Sequence, residues 1–245
     1  MGTLSRLFIK FHYIMSYQGG KQRIGKEIHD VILRRALEAG YDNRPYFEPF
    51  VGLCGTMRWW ADYPGKRIAN DSNQDIILLL KSLQKEWNPP VMTREEYMTQ
   101  KSSSQHSALR GYASLHSYRG MIFAGYDGGH RQGHVGRSLV KLTPLIKGVR
   151  FLPPGSYERF RSKKFIIYCD PPYKGTTSYR GQVKFDSEKF WEIMRLWSKD
   201  NLVFISESIA PDDFEIVWSR VNRCQVSTNK GKARTENLYV YRGTA

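Results

Sequence analysis

Cysteines and long apolar runs are scarce in this 245-residue sequence, and both shortages limit what it can be. The three cysteines, Cys54, Cys169 and Cys224, are scattered along the chain, so we expect neither a disulfide framework nor a zinc site, and a reducing compartment fits. His130 and His134 have no accompanying cysteine or carboxylate, which disfavours a metal site there. The sequence therefore predicts a protein without a bound metal.

The sequence also lacks segments that would enter a membrane. Its longest apolar runs, such as Ile76 to Leu80, are too short to span a bilayer. The first residues, in which Lys10 follows Leu7-Phe8-Ile9, lack the apolar core of a signal peptide. We expect a cytoplasmic protein with no membrane partner. Met15 is an alternative start, which makes residues 1–15 an N-terminal extension.

Acidic residues are too few to balance the basic ones. The chain has 38 Lys and Arg against 23 Asp and Glu, which gives a formal charge of +15 and a pI near 9.7. Such an excess favours a polyanionic partner, and double-stranded DNA is the densest common one. Charge alone does not separate DNA from RNA or from an anionic membrane.

The most informative stretch is an apolar strand that ends at two prolines. Phe165 to Cys169 is typical of a buried central strand, and Pro171 and Pro172 cannot donate to a sheet ladder, so the strand must end at Asp170. Tyr173 follows directly. Ligands of open α/β sheets collect at the carboxyl edge of the strands, where this group is predicted to lie. The plain alternative is a strand end and a tight turn without further function.

These four residues suit an attack by a weak nitrogen nucleophile. The lone pair of the adenine amine is conjugated with the ring, and it becomes available when two acceptors hold the N–H bonds. Asp170 and the carbonyl of Pro171 are the candidate acceptors, and the fixed φ of proline sets the carbonyl direction beforehand. Tyr173 would stack on the base, which is worth about 1–3 kcal/mol.

Two upstream glycine turns favour a nucleotide-like ligand. Gly19-Gly20-Lys21 opens a helix predicted over residues 22–38, and a glycine pair at a helix start can hold a carboxylate or phosphate. A strand that begins at Pro45 breaks at Gly52 into a small-residue turn, and a helix is predicted over residues 56–61. The turn lacks the Gly-x-Gly-x-x-Gly fingerprint, which disfavours a nicotinamide or flavin cofactor.

A second strand is predicted to end at Asp71, before a helix over residues 74–86. An acidic residue about 20 positions after such a turn commonly accepts hydrogen bonds from ribose hydroxyls. A helix N-cap is the plain alternative. Both roles are compatible, because Asn73 can cap the helix while Asp71 faces the ligand.

From residue 91 to residue 147 the sequence is rich in basic, aromatic and glycine residues and shows little strand pattern. Aromatic residues interleaved with arginine and glycine can line a nucleic-acid groove. We interpret residues 91–147 as an inserted target-recognition lobe, flanked by a catalytic domain of residues 16–90 and 148–245. An ordinary solvated loop is the alternative, although a stretch of this length is usually functional. The candidate DNA contacts here are Arg110, Tyr112, Tyr118, Arg119, Arg131 and Arg137.

The last part of the chain completes the predicted sheet. A loop after Tyr173 precedes a helix predicted over residues 186–198 and a buried strand from Leu202 to Ser206. Residues 223–228 and 237–241 are predicted to form an antiparallel pair at one edge. Basic residues in the loop and at the turn of this pair are further candidate DNA contacts, although exposed turns are often basic for solubility alone: Lys174, Arg180, Lys230 and Lys232.

Four motifs together resemble those of the Dam-type DNA adenine N6 methyltransferases and occur in the order of that family. They are Tyr17-Gln18-Gly19-Gly20-Lys21, Glu48-Pro49-Phe50-x-Gly52, Asn70-Asp71 and Asp170-Pro171-Pro172-Tyr173. The residues around them look most like members carried by phages and other viruses. The resemblance implies an α/β fold, a Rossmann-like seven-stranded S-adenosylmethionine-dependent methyltransferase sheet with its last hairpin reversed. It further implies an inserted, mainly helical target-recognition lobe.

The same resemblance implies a site-specific enzyme that transfers a methyl group from S-adenosylmethionine to N6 of a flipped adenine in double-stranded DNA, without a metal. The catalytic residues would then be Asp170, Pro171, Pro172 and Tyr173. The cofactor would be bound by Tyr17, Gly20, Lys21, Glu48, Phe50, Gly52, Asp71 and Asp170. A monomer or weak dimer is expected, and a cognate restriction endonuclease is a candidate partner.

Two departures from the family pattern concern the cofactor. Cys54 stands where many members have glycine, and Ser156 lies where members often carry an aspartate that holds the adenine of the cofactor. These changes bear on cofactor affinity more than on reaction type. Three alternatives stay open: an adenine methyltransferase of RNA or single strands, a protein-glutamine methyltransferase, which usually has Asn in place of Asp170, and a catalytically degenerate DNA-binding protein.

Overall fold

The computed structural model describes residues 20–118, 122–128, 132–173, 185–222 and 234–243. Within these residues it contains one mixed sheet of seven strands. In chain order the strands are β1 Tyr46–Glu48, β2 Arg67–Ala69, β3 Arg150–Phe151, β4 Ile166–Cys169, β5 Leu202–Glu207, β6 Phe214–Asn222 and β7 Arg234–Tyr241. In space they follow the order β3-β2-β1-β4-β5-β7-β6. Strands β1 to β5 are parallel, and β7 is antiparallel to both of its neighbours. The predicted Rossmann-like sheet is confirmed, with the reversal confined to β7.

The described helices flank this sheet, and those predicted to begin at residues 22, 74 and 186 begin within three residues of these positions. They are α1 Gly25–Glu38, α2 Gln74–Gln84, α3 Arg94–Ser102, α4 Ala108–Ser114, α5 Gln132–Ile146 and α6 Ser187–Ser198. Asn73 caps α2 by accepting the N–H groups of Asp75 and Ile76, as expected for an Asn at this position. The helix predicted over residues 56–61 is a single 3-10 turn, Met57–Trp60.

Alternate residues of the central strands face opposite layers of helices. Tyr168 and Phe204 belong to an apolar cluster that includes side chains of α1, α2 and α5. Ile167 and Ile205 belong to a second cluster, which is formed mainly with α6. All residues of β4 are buried, as a strand covered on both faces requires. The central position predicted for β4 is therefore confirmed.

The segment predicted as a recognition lobe is helical and packs on the sheet domain. Helices α3 and α4 lie against each other, and α4 lies against α2. Tyr97 and Tyr112 share one apolar cluster with Ile28 of α1 and Leu80 of α2. The separation of residues 91–147 as a lobe of its own stays a prediction.

The last antiparallel pair is present, but its first strand lies earlier than predicted. Strand β6 ends at Asn222, and residues 223–233 lie outside the described residues. The register of β6 against β7 shifts between Ile216 and Trp218, where β6 carries one extra residue. Such a bulge interrupts the alternation of apolar and polar residues by which a strand is recognised in sequence.

Helices α2 and α4 touch through a glycine, which gives a first prediction. A Cβ added to the buried Gly111 would lie 2.4 Å from the carbonyl oxygen of Asp75. We expect Gly111→Ala to lower the free energy of unfolding by about 1–3 kcal/mol, because the two helices would have to separate. Urea denaturation measures the change.

Gly136 in α5 is the matched control for this contact. The nearest atom to a Cβ added there is the phenol oxygen of Tyr112, at 3.6 Å. Gly136→Ala should therefore stabilise the protein by up to about 1 kcal/mol through helix propensity. Equal effects of the two substitutions would contradict the close packing of α2 and α4.

Candidate active site

Asp170 follows the last residue of β4, at the carboxyl edge of the sheet. Strands β1 and β5 flank β4, so their carboxyl ends surround Asp170. Pro171 is buried and Pro172 is exposed. The predicted end of the strand at Asp170 is therefore confirmed, and the fold presents this carboxylate at the edge where ligands of such sheets bind.

The ammonium group of Lys21 lies against Asp170. Lys21 Nζ donates to Asp170 Oδ1 at 2.6 Å and lies 3.5 Å from Glu236 Oε1. The Lys21 side chain is only 7% exposed. Burial lowers the pKa of Lys21, but the charges of Asp170 and Glu236 outweigh this effect and raise the pKa overall. Lys21 is therefore a buried cation held between two carboxylates.

The Asp170 carboxylate is ionised at neutral pH despite its surroundings. Its side chain is 15% exposed. Burial raises the pKa of Asp170 to about 6, Lys21 opposes this rise, and the charges of Glu236 and Glu207 add to it. Above about pH 6 the group is a hydrogen-bond acceptor only, which is the state needed to hold the N–H of a substrate.

Tyr173 is joined to the same charges. Its phenol O–H donates to Glu236 Oε1, and Lys21 Nζ lies 4.8 Å from the centre of its ring. Burial raises the pKa of Tyr173 well above its ordinary value, so the phenol stays a donor. Lys21, Asp170, Tyr173 and Glu236 thus form one group, which we call the Asp170 cluster.

Glu236 is a member of this cluster that sequence reasoning missed. In β7 it lies on the same face as Leu238, two residues further on, and Leu238 is fully buried. A carboxylate on the buried face of a strand costs free energy unless a partner compensates for it. This position of a glutamate in the strand pattern is the signal that could have identified it.

Glu48, a predicted cofactor contact, ends β1 inside the protein. The Tyr46 hydroxyl donates to Glu48 Oε1 at 2.6 Å. Burial raises the pKa of Glu48 to about 8, the hydrogen bond from Tyr46 opposes the rise, and the charge of Asp170 adds to it. Glu48 is therefore largely a neutral acid at pH 7, and its cofactor contact stays a prediction.

Asp71 joins the turn after β1 to the end of β2. Its two carboxylate oxygens accept the N–H of Gly52 at 2.9 Å and the N–H of Asn73 at 2.8 Å. Burial raises the pKa of Asp71, while these backbone N–H groups oppose the rise. The carboxylate thus fixes the shape of the turn, and its predicted contact with a ribose stays a prediction.

The turn itself contains two residues in the left-handed region, Gly52 with φ 47° and Cys54 with φ 56°. Glycine adopts this conformation freely, whereas a residue with a Cβ is strained there. Cys54 therefore stands at a position whose backbone conformation favours glycine. Cys54 is buried, and burial raises the pKa of its thiol well above the ordinary value.

Aromatic side chains gather around Phe50, beside this turn. The ring centre of Phe50 lies 5.0 Å from that of Tyr157 and 6.1 Å from that of Phe185. Ser156 caps the short 3-10 helix Tyr157–Arg159 by accepting the N–H of Glu158 at 3.2 Å. Its hydroxyl oxygen is therefore engaged within its own turn.

Asn70 connects this aromatic group to the sheet. Its Nδ2 donates to the carbonyl oxygen of Gly155 at 2.8 Å. Its Oδ1 is buried and has no hydrogen-bond partner within the described ranges. A buried acceptor without a partner is costly, so Asn70 Oδ1 is suited to receive a donor from a ligand.

Two of the predicted DNA contacts are packed into the fold. Arg110 pairs with the buried carboxylate of Asp75 and donates to the carbonyl oxygen of Ser103. Tyr112 is 2% exposed and donates to the carbonyl oxygen of Pro90 at 2.9 Å. These hydrogen bonds give both residues a structural role, and the DNA contacts predicted for them stay predictions.

The arginine at position 110 gives a second prediction. Arg110→Ala should lower the free energy of unfolding by about 2–4 kcal/mol, because it removes the charged partner of a buried carboxylate. Asp75 keeps a hydrogen bond from the Ser107 N–H and its contact with His106 Nδ1, which limits the loss. Arg137→Ala, at an exposed position of α5, is the control and should change stability by no more than about 0.5 kcal/mol. Denaturant titration measures both, and a fully stable Arg110→Ala protein would contradict a structural role.

The surface of the helical segment offers other groups. Tyr118 is 55% exposed, and Arg94, Lys101 and Arg137 are exposed as well. Tyr118 and Arg137 were predicted as DNA contacts and stay predictions, whereas sequence reasoning did not single out the two cations of α3. A cavity of about 340 Å³ on this surface is lined by Arg94, Tyr97, Met98, Lys101, Tyr118, Gly125 and Tyr126.

Several predicted site residues lie outside the described residues. They are Tyr17, Arg119, Arg131, Lys174, Arg180, Lys230 and Lys232, as is His130. Gly20 is described and exposed. Within the described residues no group of three or more His, Cys, Asp or Glu side chains could hold a metal ion. No helix in the same ranges is both long and apolar enough to cross a membrane.

Comparison with known proteins gives one family match. Residues 17–125 match the model of the D12 class N6 adenine-specific DNA methyltransferases. The matched segment contains Lys21, Glu48 and Asp71 and ends before Asp170. No curated protein matches the chain in sequence.

Solved structures that are similar to the chain at low identity include three methyltransferases or proposed methyltransferases. A proposed RNA methyltransferase from Pyrococcus horikoshii has 9% identity and a TM-score of 0.41, and the match covers 86% of this chain and 81% of that chain. TrmN from Thermus thermophilus has 12% identity and a TM-score of 0.38, with 92% of this chain and 53% of that chain covered. SMU.472, a proposed methyltransferase in complex with SAH, has 14% identity and a TM-score of 0.33, with 91% of this chain and 55% of that chain covered. The chain thus spans little more than half of the last two proteins. Likenesses of this degree carry no information on substrate.

Proposed function

We propose that this protein is an S-adenosylmethionine-dependent methyltransferase that modifies N6 of adenine in double-stranded DNA. The observation that carries the proposal is the Asp170-Pro171-Pro172-Tyr173 segment at the carboxyl edge of β4, with its carboxylate ionised at neutral pH and bonded to Lys21. The match of residues 17–125 to an adenine-specific methyltransferase family supports it.

The residues around the turn after β1 fit the cofactor. Phe50 and Tyr157 supply aromatic surface for an adenine ring, and Asn70 Oδ1 is a buried acceptor in need of a donor. Asp71 holds the turn in the left-handed form at Gly52, which brings backbone rather than side chain toward a ligand. When bound, S-adenosylmethionine supplies an electrophilic methyl group on its sulfonium.

The Asp170 cluster would orient the target amine. Lys21 occupies Asp170 Oδ1, which leaves Oδ2 to accept one N–H of the adenine amine. The carbonyl of Pro171 accepts the other N–H, and Tyr173 stacks on the base. When the amine nitrogen bonds to the methyl carbon, the S–C bond of the sulfonium would break and leave a neutral thioether; the nitrogen would then lose one proton, for which Asp170 is the proposed acceptor. Alignment of the two reactants is the main contribution of the protein, because correct positioning alone can supply about 7–11 kcal/mol of a barrier.

The helical segment offers a surface for the DNA. Exposed cations of α3 and the exposed ring of Tyr118 line one cavity on it, α5 carries the exposed Arg137, and the chain has a formal charge of +15. To reach the Asp170 cluster, the adenine would rotate out of the duplex at a cost of a few kcal/mol. An oligomeric state of monomer or weak dimer and a cognate restriction endonuclease stay predictions.

The test is transfer of a tritiated methyl group from S-adenosylmethionine to unmethylated duplex DNA, followed by nucleoside analysis of the product. We expect label in N6-methyladenine. Competition with RNA and with single-stranded DNA decides between nucleic acids, and preferential labelling of either would replace duplex DNA as the substrate. Absence of both label and thermal stabilisation by S-adenosylmethionine would instead support a degenerate DNA-binding protein.

A further inference from the structure

Glu236, near the end of the described residues, lies close to Lys21, near their beginning. Its Oε1 accepts the phenol O–H of Tyr173 and lies 3.5 Å from Lys21 Nζ, which also donates to Asp170. The Glu236 side chain is 11% exposed. It reaches this place because β7 lies between β5 and β6, next to the centre of the sheet.

We propose that Glu236 is a positioning residue for the reaction, which holds the ring of Tyr173 through its hydroxyl and sets the electrostatic environment of the Asp170 carboxylate. The inference rests on the proposed function. It adds a residue outside the four sequence motifs and outside the segment that matches the family model.

The geometry explains how one carboxylate can fix an aromatic ring. Tyr173 follows two prolines, whose fixed φ angles restrain the near end of the residue. The bond from its hydroxyl to Glu236 restrains the far end, on a strand that is paired on both sides. Anchoring the hydroxyl restricts the swing of the ring about the Cα–Cβ bond. A ring held in this way can receive a base without first losing conformational entropy.

The cluster also has an imbalance of charge that affects Asp170. One ammonium group, Lys21, serves two carboxylates, Asp170 and Glu236. The ionisable groups that act on Asp170 or are acted on by it come from six parts of the chain: Lys21 before α1, Glu48 in β1, Tyr168 and Cys169 in β4, Glu207 in β5, Glu236 in β7, and Tyr173 after β4. The charge of Glu236 raises the pKa of Asp170, so its removal lowers that pKa below about 6.

The effect on pH dependence follows from the sign of that change. Asp170 must be ionised to accept the amine N–H, so the rate falls as pH drops through its pKa. Glu236→Gln removes the negative charge but keeps an oxygen that can accept the Tyr173 hydroxyl. We therefore expect the acidic limb of the pH–rate profile to move to lower pH in this variant. Glu215→Gln, at an exposed position of β6, is the control and should leave the limb in place.

The positioning role is tested by a double-mutant cycle. Glu236→Ala and Tyr173→Phe each break the same hydrogen bond, and we expect kcat to fall by about 10- to 100-fold in each. The double variant should be no slower than the slower single variant, because the bond can be lost only once. Multiplied losses in the double variant would show that the two residues act separately and would overturn the positioning role.

A measurement without turnover keeps the two proposals distinguishable. Carbon-13 NMR of labelled aspartate carboxyls in the free protein, assigned with Asp170→Asn, gives the Asp170 pKa directly, and Glu236→Gln should lower it. A wild-type protein without methyl transfer to any nucleic acid would overturn the proposed function and this inference with it. An active wild type whose Glu236→Gln variant keeps both the acidic limb and the Asp170 pKa would overturn the inference alone.

Discussion

Asp170→Asn is expected to slow methyl transfer by about 10²- to 10⁴-fold, the range found when a positioned acid or base is lost. The substitution keeps the size of the side chain but removes the charge, so the group no longer attracts the amine N–H and its own NH2 can point toward it. Single-turnover transfer at pH 8 measures the effect. Binding to duplex DNA, followed by fluorescence anisotropy, should be largely retained because Asp170 lies at the sheet edge and not on the helical surface.

Asp200→Asn provides the matched control. Asp200 is an exposed carboxylate that pairs with Lys163, and its loss should leave the rate of transfer unchanged. If Asp170→Asn turns over at the wild-type rate, the assignment of the active site to the end of β4 is wrong. If it loses DNA binding as well as transfer, the carboxylate supports the fold or the DNA surface rather than the chemistry alone.

Lys21→Met should produce the largest loss of stability. It leaves Asp170 and Glu236 facing each other without their shared cation, and breaking such a buried pair costs about 3–5 kcal/mol. Lys21 is also the charge that opposes the raised pKa of Asp170, so that pKa should rise above about 6 in the variant.

The sign of this shift predicts how the loss depends on pH. An aspartate whose pKa is higher in the folded state than in the unfolded state binds more protons when folded, so stability falls as pH rises between the two values. The destabilisation by Lys21→Met should therefore be larger at pH 8 than at pH 5, as urea denaturation at both values would show. Lys26→Met is the control, since Lys26 is 61% exposed and its pair with Asp30 is worth no more than about 1 kcal/mol. Equal losses in the two variants at pH 8 would contradict a buried role for Lys21.

Local chemistry explains which parts of this fold could be predicted from sequence. The end of β4 was predictable because two prolines forbid its continuation. The start of α2 was predictable because Asn73 satisfies free N–H groups at the first turn. The buried character of β4 followed from an uninterrupted apolar run. Each of these features depends on residues that are near neighbours in the chain.

The rest of the site depends on residues that are distant in the chain. Lys21 and Asp170 are separated by 149 positions, and no local pattern states that they pair. Glu236 joins them only because β7 lies between β5 and β6, which is a property of the whole sheet.

Arg110 and Tyr112 show that residue type alone does not reveal a structural role. Arginine and tyrosine are typical of a nucleic-acid groove, yet α4 uses both residue types in its packing against α2. The partner of Arg110 is Asp75, a residue of α2 that is 35 positions away in sequence.

The position of β7 has a consequence for how the protein is made. As the chain leaves the ribosome, Lys21 emerges first, Asp170 follows, and Glu236 appears only after β6. Strand β7 must then pair with β5 on one side and with β6 on the other, so β6 has to wait for its only neighbour in the described sheet. A nascent chain that already contains β1 to β5 would carry the Asp170 carboxylate without Glu236, the member of the Asp170 cluster that lies in β7. We therefore expect the protein to have no activity during synthesis and to become active in one late step, when β7 inserts between β5 and β6.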